Sequence, residues 1–580
     1  MTRSEQLIET IRASIIGDDQ ALEGPFGPRR VTYADYTASG RSLGFLEDFL
    51  RAHVLPLYAN THTEASGTGR QTTRFREEAR AIIKRAVGGG PDDVVIFCGS
   101  GATGAINKLI DVLNLRLPAD LDERYRLSAQ IPADERPVVF IGPYEHHSNE
   151  LPWRESIADV VVIGEDADGH VDLAELEAEL VRHAARPLKL GSFSAASNVT
   201  GIGSDTRAIS ALLHRHGAFA FWDFAAAGPY VQIDLNQRDD GPDGELAYLD
   251  AVFLSPHKFI GGPGTPGVLV AKRHLFKNRV PAVPGGGTVA YVNPEEHRYL
   301  ADPEHREEGG TPAIIESIRA GLVFQLKEAV GPEAIRAREE DFIRRAIASW
   351  SQDPRIGILG NRDAWRLSIV SFVIRHGARY LHHNFVVALL DDLFGIQARG
   401  GCSCAGPYGH RLLGIDLATS KEFEREIVRG CEGIKPGWVR VNFNYFLSEA
   451  QFEFLLEAIH LIATHGWTLL PAYRFEPVTG RWHHARRGGD AAVMRLADIS
   501  YRAGKMEFRS RLATEPESAL AGYLDEARRI FAAAAAGADD RPRAADPPLT
   551  ADFEHLRWFW LPREIAAELE GRELSEGAGI

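Results

Sequence analysis

Short apolar runs alternate with amphipathic stretches between residues 90 and 271. The runs are rich in β-branched or aromatic residues and are bounded by Gly, Pro or Asp, which predicts strands buried on both faces of a sheet. The stretches between them predict helices, such as one over residues 205–214 that Gly217 closes. This alternation predicts an α/β fold with a mostly parallel sheet. The predicted strands are residues 94–98, 137–142, 160–164, 188–194, 219–223, 251–255 and 268–271.

The pattern changes after residue 330 and predicts a second, smaller α+β domain. Its predicted elements are a helix over 332–349, strands around 365–375, a helix from 381, a strand over 437–444 and a helix over 449–464. Residues 1–45 are too few to fold alone and are expected to pack on this domain. The predicted divisions are an N-terminal segment (1–45), a large domain (46–330), a small α+β domain (331–466) and a C-terminal appendage (467–580).

The appendage has three recognisable parts. Residues 473–483 predict a hairpin that turns at 477–480, and the Ala/Asp/Pro-rich stretch 532–548 predicts a linker. Residues 553–561 are rich in aromatic side chains and are expected to dock on the main body. The sequence gives no function for this region.

Composition narrows the class of protein. The 580 residues are 25% charged and 44% hydrophobic, which is typical of a globular protein. A net charge of -15 disfavours binding to nucleic acid or to an anionic membrane, and no apolar run reaches the ~18–20 residues of a membrane span. Four cysteines are too few for a disulfide scaffold and predict a cytoplasmic location. Their spacing is a weak zinc signal and no metal site is predicted; they are Cys98, Cys402, Cys404 and Cys431. Cys98 lies in a predicted strand and Cys431 on a helix predicted over 422–433, so both are expected to be core residues.

A glycine-rich turn, residues 99–104, follows the first predicted strand and opens a helix. A helix N-terminus of this kind favours phosphate binding. The same letters fit the dinucleotide motif G-x-G-x-x-G, but residues 117–123, where that motif needs a strand with an acidic end, are predicted to be a loop. A phosphate site is favoured, and a dinucleotide site or a purely structural turn are the alternatives.

Three further polar residues follow predicted strands. Lys258, in Ser-Pro-His-Lys, precedes a glycine-rich run, where a desolvated amine can form a Schiff base. Asp223 ends an aromatic strand, and a carboxylate there can pair with a protonated pyridine nitrogen. His146 can stack on a flat ring and move protons. Each alone is more often structural: a surface lysine, a helix cap or a packed histidine.

The motifs together resemble the class V, cysteine-desulfurase-like branch of fold-type I enzymes that use pyridoxal 5'-phosphate (PLP). The resemblance covers roughly residues 30–465 and implies a large domain with a mixed, mostly parallel seven-stranded sheet, a smaller α+β domain and a homodimer. The motifs in chain order are residues 33–39, 99–107, 145–149, 197–199, Asp223, 255–258, 310–312, 399–404 and 440–445.

The resemblance implies a role for each matched residue. Lys258 binds the cofactor covalently and moves the substrate's Cα proton, Asp223 holds the ring nitrogen, and His146 stacks on the ring as an acid or base. Arg440 binds the substrate carboxylate, with Asn198 and Arg399 nearby. Thr311 reaches the phosphate of the partner subunit's cofactor. The other expected cofactor contacts are Ala102, Thr103, Ser255 and His257, with Asn198 also beside the cofactor.

Cys404 decides the reaction type. It occupies the nucleophile position of an R-x-G-x-x-C loop, so the resemblance implies that sulfur moves from L-cysteine to Cys404 as a persulfide, with release of alanine and later transfer to a sulfur-acceptor protein. Such a thiol must be reactive and accessible. The alternative is another class V reaction, transamination or Cβ–S lyase chemistry, that does not use Cys404. A non-catalytic PLP-fold protein and a NAD-dependent oxidoreductase are more distant rivals.

Two positions depart from the family pattern. Ala226 stands where a polar residue, usually Gln, contacts the cofactor, and Thr63 stands where the desulfurases place an Arg. The substrate carboxylate therefore lacks one expected contact.

Overall fold

The computed structural model describes residues 2–61, 63–238, 240–241, 243–486, 494–510, 512–537 and 546–572. The chain forms two compact units. Unit 1 comprises Met1–Ile16, Tyr36–Glu340 and Asp363–Ser368, and unit 2 comprises Gly17–Asp35, Asp341–Arg362 and Ile369–Ile580.

The helices of the described residues are distributed along the whole chain. In order they are α1 (Arg3–Ala13), α2 (Gly44–Phe49), α3 (Gly67–Ala86), α4 (Gly101–Val112), α5 (Ala119–Tyr125), α6 (Leu151–Arg154), α7 (Leu173–Arg182), α8 (Thr206–Arg215), α9 (Pro303–Arg306), α10 (Ile314–Val330), α11 (Pro332–Trp350), α12 (His383–Phe394), α13 (Gly406–Leu413), α14 (Leu417–Val428), α15 (Glu449–His465), α16 (Leu520–Ala535), α17 (Ala551–Leu556) and α18 (Pro562–Leu569).

The strands fall into one large sheet and several smaller ones. In order they are β1 (Gln20–Gly24), β2 (Gly27–Arg30), β3 (Thr32–Tyr33), β4 (Asp93–Cys98), β5 (Val138–Ile141), β6 (Asp159–Val162), β7 (Lys189–Ser194), β8 (Phe219–Asp223), β9 (Ala251–Leu254), β10 (Gly267–Lys272), β11 (Val289–Val292), β12 (His297–Tyr299), β13 (Ile356–Ile358), β14 (Ile369–His376), β15 (Arg379–Tyr380), β16 (Ile396–Gln397), β17 (Arg399–Gly401), β18 (Trp438–Asn442), β19 (Tyr473–Glu476), β20 (Arg481–His484) and β21 (Ala513–Thr514).

Unit 1 is built on a seven-stranded sheet with the order β4-β10-β9-β8-β7-β5-β6. The pairs from β9 to β6 are parallel, and β10 is antiparallel to both of its neighbours. These strands confirm the seven predicted ones and the mixed, mostly parallel sheet. Burial on both faces is confirmed for the interior strands, but β6 lies at the sheet edge and Val162 is 44% exposed.

The helices of unit 1 follow from local signals in the sequence. The Asp205 side chain caps α8 by accepting from the Arg207 and Ala208 N–H groups, and Gly217 adopts a left-handed φ of 67° after the helix. Helix α4 packs its apolar side chains into the core beneath the sheet, with Ala105, Ile106 and Leu109 fully buried. The sheet is thereby fixed as a rigid support for the loops at its edge.

Unit 2 has a sheet with the order β13-β14-β18-β17, and β15 also pairs with β14. The helices and strands predicted after residue 330 are confirmed as α11, α12, α15, β14 and β18, and the predicted hairpin is confirmed as β19–β20. Residues after 466 contribute to the same hydrophobic core as α12 and α15, with Tyr473, Phe553 and Phe559 fully buried. The predicted docking of residues 553–561 is therefore confirmed within unit 2, to which the described residues after 466 belong together with this sheet.

The N-terminal residues are shared between the two units, because residues 1–16 cluster with unit 1 and residues 17–35 with unit 2. Strand β3 pairs in parallel with β16, which ties the second of these segments to unit 2.

Three local predictions are wrong. Residues 119–125 form helix α5 and not a loop, because Asp120 and Asp122 stabilise its first turn. The linker predicted over 532–548 begins too early, since α16 continues to Ala535 with Phe531 and Ala534 buried; residues 538–545 lie outside the described residues. Cys431 lies beyond the end of α14 and not on a helix.

In the described residues, no helix combines the length and the apolar character needed to cross a membrane.

Candidate active site

Two neighbouring parallel strands bring Asp223 and Lys258 to one edge of the sheet of unit 1. Strand β8 ends at Asp223, and β9 is followed by Ser255 and a single 3₁₀ turn, Pro256–Lys258. Because the carboxyl ends of parallel strands meet at the same edge, this is where α/β sheets bind ligands. The Gly40 N–H donates to the His257 carbonyl at 2.8 Å and helps to hold the turn in place.

Asp223 is a buried carboxylate with an acceptor oxygen to spare. Within the described residues its hydrogen bond comes from the Ala225 N–H to Oδ1 at 2.8 Å. Burial raises the pKa of Asp223 above its ordinary value, whereas the Ala225 N–H and the positive charge of Lys258 oppose this rise. The effect of Lys258 on Asp223 shows that the two side chains share one electrostatic environment.

The glycine-rich turn opens α4 beside the Lys258 turn. Gly101 has a φ of 53°, and a Cβ at this position would lie 2.8 Å from Ser255 Oγ. The Ala102 N–H donates to the same Ser255 Oγ at 2.8 Å. Glycine is required here, both by the left-handed backbone and by the close approach of Ser255.

A chain of hydroxyl groups connects α4 to His146. Thr103 Oγ1 lies 2.7 Å from Ser148 Oγ, which lies 3.0 Å from His146 Nδ1. The Ser148 N–H also donates to Nδ1 at 3.0 Å, so the neutral imidazole carries its proton on Nε2. Ser148 lies in the motif 145–149, which predicts no role for it. In the structure it fixes both the position and the tautomer of the His146 ring.

Glu145 is a second buried carboxylate next to the site, 4% exposed. Its oxygens accept from the Ser194 N–H at 2.8 Å, the Ser194 hydroxyl at 2.6 Å and Asn149 Nδ2 at 2.6 Å. Burial raises the pKa of Glu145 to about 7; the hydrogen bonds from Ser194 and Asn149 oppose the rise, and the negative charge of Asp223 adds to it. Glu145 therefore ties the His146 turn to the end of β7 and faces the same electrostatic environment as Asp223.

Three further predicted residues lie around these strands. Burial, and then the charge of Lys258, lower the pKa of His257 to about 4, so this ring is neutral at neutral pH. Asn198 is buried in the loop that follows β7. Thr311 is exposed, and its hydroxyl accepts from Asn60 Nδ2 at 3.4 Å. We call Glu145, His146, Asp223, His257 and Lys258 the strand-end cluster.

The cysteine loop, residues 399–404, belongs to unit 2. Its first residues form β17, which pairs with β18 so that Arg399 lies opposite Arg440. Asp35 joins these two arginines, because Oδ1 accepts from Arg440 at 2.8 Å and Oδ2 accepts from Arg399 at 3.0 Å. The Arg440 side chain is 4% exposed and that of Arg399 is 49% exposed. Asp35 lies in the motif 33–39 but had no predicted role; its partner lies 405 positions away.

Cys404 is exposed and has a left-handed φ of 55°, as has Ser403 with 53°. Burial lowers the pKa of the Arg440 guanidinium, and the positive charge of Arg399 adds to this effect. The hydrogen bond and charge of Asp35, and then Cys404, oppose it. Asp35 is thus the main charge partner of the buried Arg440 guanidinium, and Cys404 has a smaller effect on it. By contrast, burial raises the pKa of Cys98 to about 12, which makes that thiol inert and confirms that it is a core residue.

The residues of unit 1 fit PLP. The spare oxygen of buried Asp223 suits a protonated ring nitrogen. The α4 N-terminus, with Thr103, Ser148 and Ser255, offers N–H and hydroxyl groups to a phosphate. Lys258 is the amine whose charge reaches Asp223. The structure places most of the predicted cofactor contacts in unit 1, namely Ala102, Thr103, His146, Asp223, Ser255, His257 and Lys258. The residues Arg399, Cys404 and Arg440 lie in unit 2.

A model of the family described as aminotransferase class-V matches residues 33–420. The chain belongs to the aminotransferase class-V family. Membership makes it a PLP-dependent enzyme and confirms the resemblance seen in the motifs.

Relatives and solved structures of this family are similar to the chain. It is 26% identical over 402 residues to the probable cysteine desulfurase 2 of Mycobacterium leprae, covering 68% of this chain and 88% of that protein. It is 27% identical over 405 residues to the cysteine desulfurase of Dickeya dadantii, covering 69% and 88%. The apo structure of the cysteine desulfurase from Thermococcus onnurineus NA1 has a TM-score of 0.59 with 22% identity, covering 75% of this chain and 95% of that one. This likeness confirms fold-type I.

Ala226 is buried three residues after Asp223, and its methyl group has no polar atom to offer a cofactor. This departure from the family pattern therefore lies in the interior of unit 1.

Proposed function

We propose that the protein is a PLP-dependent cysteine desulfurase that moves sulfur from L-cysteine to Cys404 as a persulfide and releases alanine. The observation that carries the proposal is the exposed Cys404 thiol on a left-handed turn of the cysteine loop, whose strand β17 pairs with the strand that carries buried Arg440. The named desulfurases among the relatives support the same reaction.

Residues of unit 1 hold the cofactor in this proposal. Asp223 would accept from the ring nitrogen, and His146 would pack on the ring with Asn198 beside it. Ala102, Thr103, Ser255 and His257 would hold the phosphate. When bound, PLP withdraws electrons from the substrate's Cα, so that a proton leaves it more easily.

Proton movement falls to two side chains of the strand-end cluster. Lys258 is the amine that would hold the cofactor covalently, and its side chain would take the proton from the substrate's Cα. His146 carries its proton on Nε2, because Nδ1 accepts from the Ser148 N–H. That Nε2–H is the donor that His146 can supply to a substrate atom.

Sulfur transfer falls to the cysteine loop. The Cys404 thiolate attacks the substrate sulfur; an S–S bond forms, the Cβ–S bond breaks, and Cβ takes up a proton. The balance is cysteine plus the Cys404 thiol giving alanine plus the Cys404 persulfide, with no other oxidant or reductant. Arg440 binds the substrate carboxylate with its planar guanidinium, helped by Arg399.

The partners follow from the same proposal. Exposed Thr311 would contact the cofactor phosphate of a second subunit in a homodimer. A sulfur-acceptor protein or a small thiol removes the sulfur from Cys404. The low cysteine content continues to predict a cytoplasmic location.

The test supplies L-cysteine to the purified holoenzyme and follows alanine, pyruvate and sulfide separately, with a thiol reductant present. We expect alanine and sulfide in equal amounts, no pyruvate, and loss of both products in Cys404→Ala with unchanged cofactor absorbance. Cys402→Ala is the matched control and should keep turnover. Pyruvate as the main product would indicate lyase chemistry, and full alanine release by Cys404→Ala would contradict the persulfide step.

A further inference from the structure

We propose that the C-terminal region positions the cysteine loop, acting through the first turn of α12. Trp558 is the main positioning residue. It stacks on His383, and the His383 ring lies against β17. The inference rests on the proposed function only where it concerns turnover; the packing itself is independent of the reaction.

Trp558 stacks on two consecutive histidines. Its ring centroid lies 5.2 Å from that of His382, with an interplanar angle of 19°, and 5.7 Å from that of His383, with an angle of 12°. The Trp558 Nε1–H donates to the Ile434 carbonyl at 3.1 Å, which fixes the orientation of the indole. Phe559 closes the other side of His382 with an edge-to-face contact at 4.6 Å.

The hairpin β19–β20 holds the same turn of α12 from another direction. Asn384 Nδ2 donates to the Gly480 carbonyl at 2.8 Å, and His382 Nε2 lies 3.1 Å from the Gly433 carbonyl. The Gly433 N–H in turn donates to the Pro477 carbonyl at 2.8 Å. Two separate parts of residues 467–580 therefore meet at His382–Asn384.

The turn of α12 lies directly against the start of the cysteine loop. A Cβ at Gly400 would be 2.6 Å from Asn384 Oδ1 and 3.1 Å from His383 Cδ2. A Cβ at Gly437 would be 2.8 Å from Gly401 Cα and 2.9 Å from His383 Cε1. A side chain at Gly400 or Gly437 would meet the His383 ring, so this ring packs closely against β17 and the residue before β18. We infer that a displaced His383 would loosen β17.

The stack is uncharged in the folded protein. Burial lowers the pKa of His383 to about 3, and burial together with the neighbouring His383 lowers that of His382 well below its ordinary value. Neutral imidazoles pack on an indole as flat aromatic rings. The contact between Trp558 and the turn is thus an uncharged aromatic stack, which suits a support for the loop that carries the exposed Cys404 thiol.

The experiment compares Trp558→Ala with Trp560→Ala in the full-length holoenzyme. Trp560 is a matched control two residues away, since its Nε1–H donates to the His376 carbonyl at 2.8 Å and it packs on Arg379, not on His382 or His383. We expect amide hydrogens of residues 399–405 to exchange roughly tenfold faster in Trp558→Ala than in wild type. The control should leave them unchanged, and the cofactor absorbance should be the same in all three proteins.

Trp558→Phe, which keeps an aromatic ring, should restore slow exchange; if Trp558→Ala fails to fold, Trp558→Leu replaces it against the same control. Faster exchange confined to residues 399–405 and the α12 turn supports the proposal, together with a lower kcat for alanine release at unchanged KM. Equal exchange in Trp558→Ala and wild type, or equal acceleration by Trp560→Ala, overturns it. If Cys404 is not the sulfur acceptor, kcat will not change but the exchange difference will persist, so the two proposals fail separately.

Discussion

The strand-end cluster and the cysteine loop hold their functional groups in opposite environments, one buried and the other exposed. In the strand-end cluster, Asp223 and Glu145 are buried at the ends of sheet strands, where burial raises the pKa of each. In the cysteine loop, Cys404 is exposed on a left-handed turn, while the Arg440–Asp35 pair on the neighbouring segments is buried. One site keeps charges fixed and away from water, whereas the other presents a nucleophile to the outside.

The difference shows what each kind of chemistry requires. Electron withdrawal depends on charges that do not move, and strands of a packed sheet hold them in place. A thiol that must receive sulfur and hand it on needs access to two partners and therefore a loop. The most informative variants are those that remove fixed charge from one site or support from the other.

Removing the carboxylate of Asp223 should have the largest effect. Asp223→Ala should lower alanine formation from L-cysteine by at least about 10³-fold, or about 4 kcal/mol, because nothing then keeps the ring nitrogen charged. Steady-state kinetics of the reconstituted enzyme measure this, and Asp234→Ala, on the loop after β8, is the control. Activity within about tenfold of wild type would show that Asp223 does not hold the cofactor ring.

Burial of Glu145 should make the free energy of unfolding depend on pH. Its pKa is raised in the folded protein from 4.5 to about 7, so the folded state binds a proton in this range that the unfolded state releases. The contribution of Glu145 to the free energy of unfolding is therefore fully present below about pH 4.5. It falls by about 3 kcal/mol as the pH rises through about 7.

Urea unfolding of the apo-protein at pH 5 and pH 8 measures this change. Glu145→Gln should lose less stability than wild type between these pH values, while Glu175→Gln, on the exposed face of α7, should behave like wild type. Parallel pH profiles for wild type and Glu145→Gln would contradict the raised pKa.

Asp35 should show a smaller effect on substrate binding. Asp35→Asn removes the charge that holds Arg440 and Arg399 together, so we expect KM for L-cysteine to rise about tenfold with kcat nearly unchanged. Asp416→Asn, which alters a helix cap in the same unit, is the control. A fall in kcat at constant KM would mean that Asp35 acts on the reaction and not on binding.

Much of the fold follows from local sequence pattern. The seven strands of unit 1 are predicted because each is a short apolar run with clear boundaries. The errors arise where local signals compete: the acidic stretch at 119–125 is a short helix with favourable charges in its first turn, and the alanine-rich residues 532–535 continue α16.

The sequence predicts those residues of the candidate site that follow strand ends, because their motifs stand at recognisable positions. Lys258, Asp223 and His146 could be found from their positions, but the residues that fix them could not. Glu145 bonds to Ser194, 49 positions away, and Asp35 bonds to Arg440, 405 positions away. Such pairs depend on the tertiary fold and leave no periodic signal in the chain. The support of the cysteine loop by Trp558 is of the same kind.

Reductive trapping of the cofactor tests the central assignment most directly. Holoenzyme reconstituted with PLP is treated with borohydride and digested, and the modified lysine is located by mass spectrometry. Lys327 is a stringent rival, since burial lowers its pKa to about 7, but its amine donates to the Gly228 carbonyl at 2.7 Å. The account predicts one phosphopyridoxyl group, on Lys258. A label on Lys327, on another lysine or on none would contradict it.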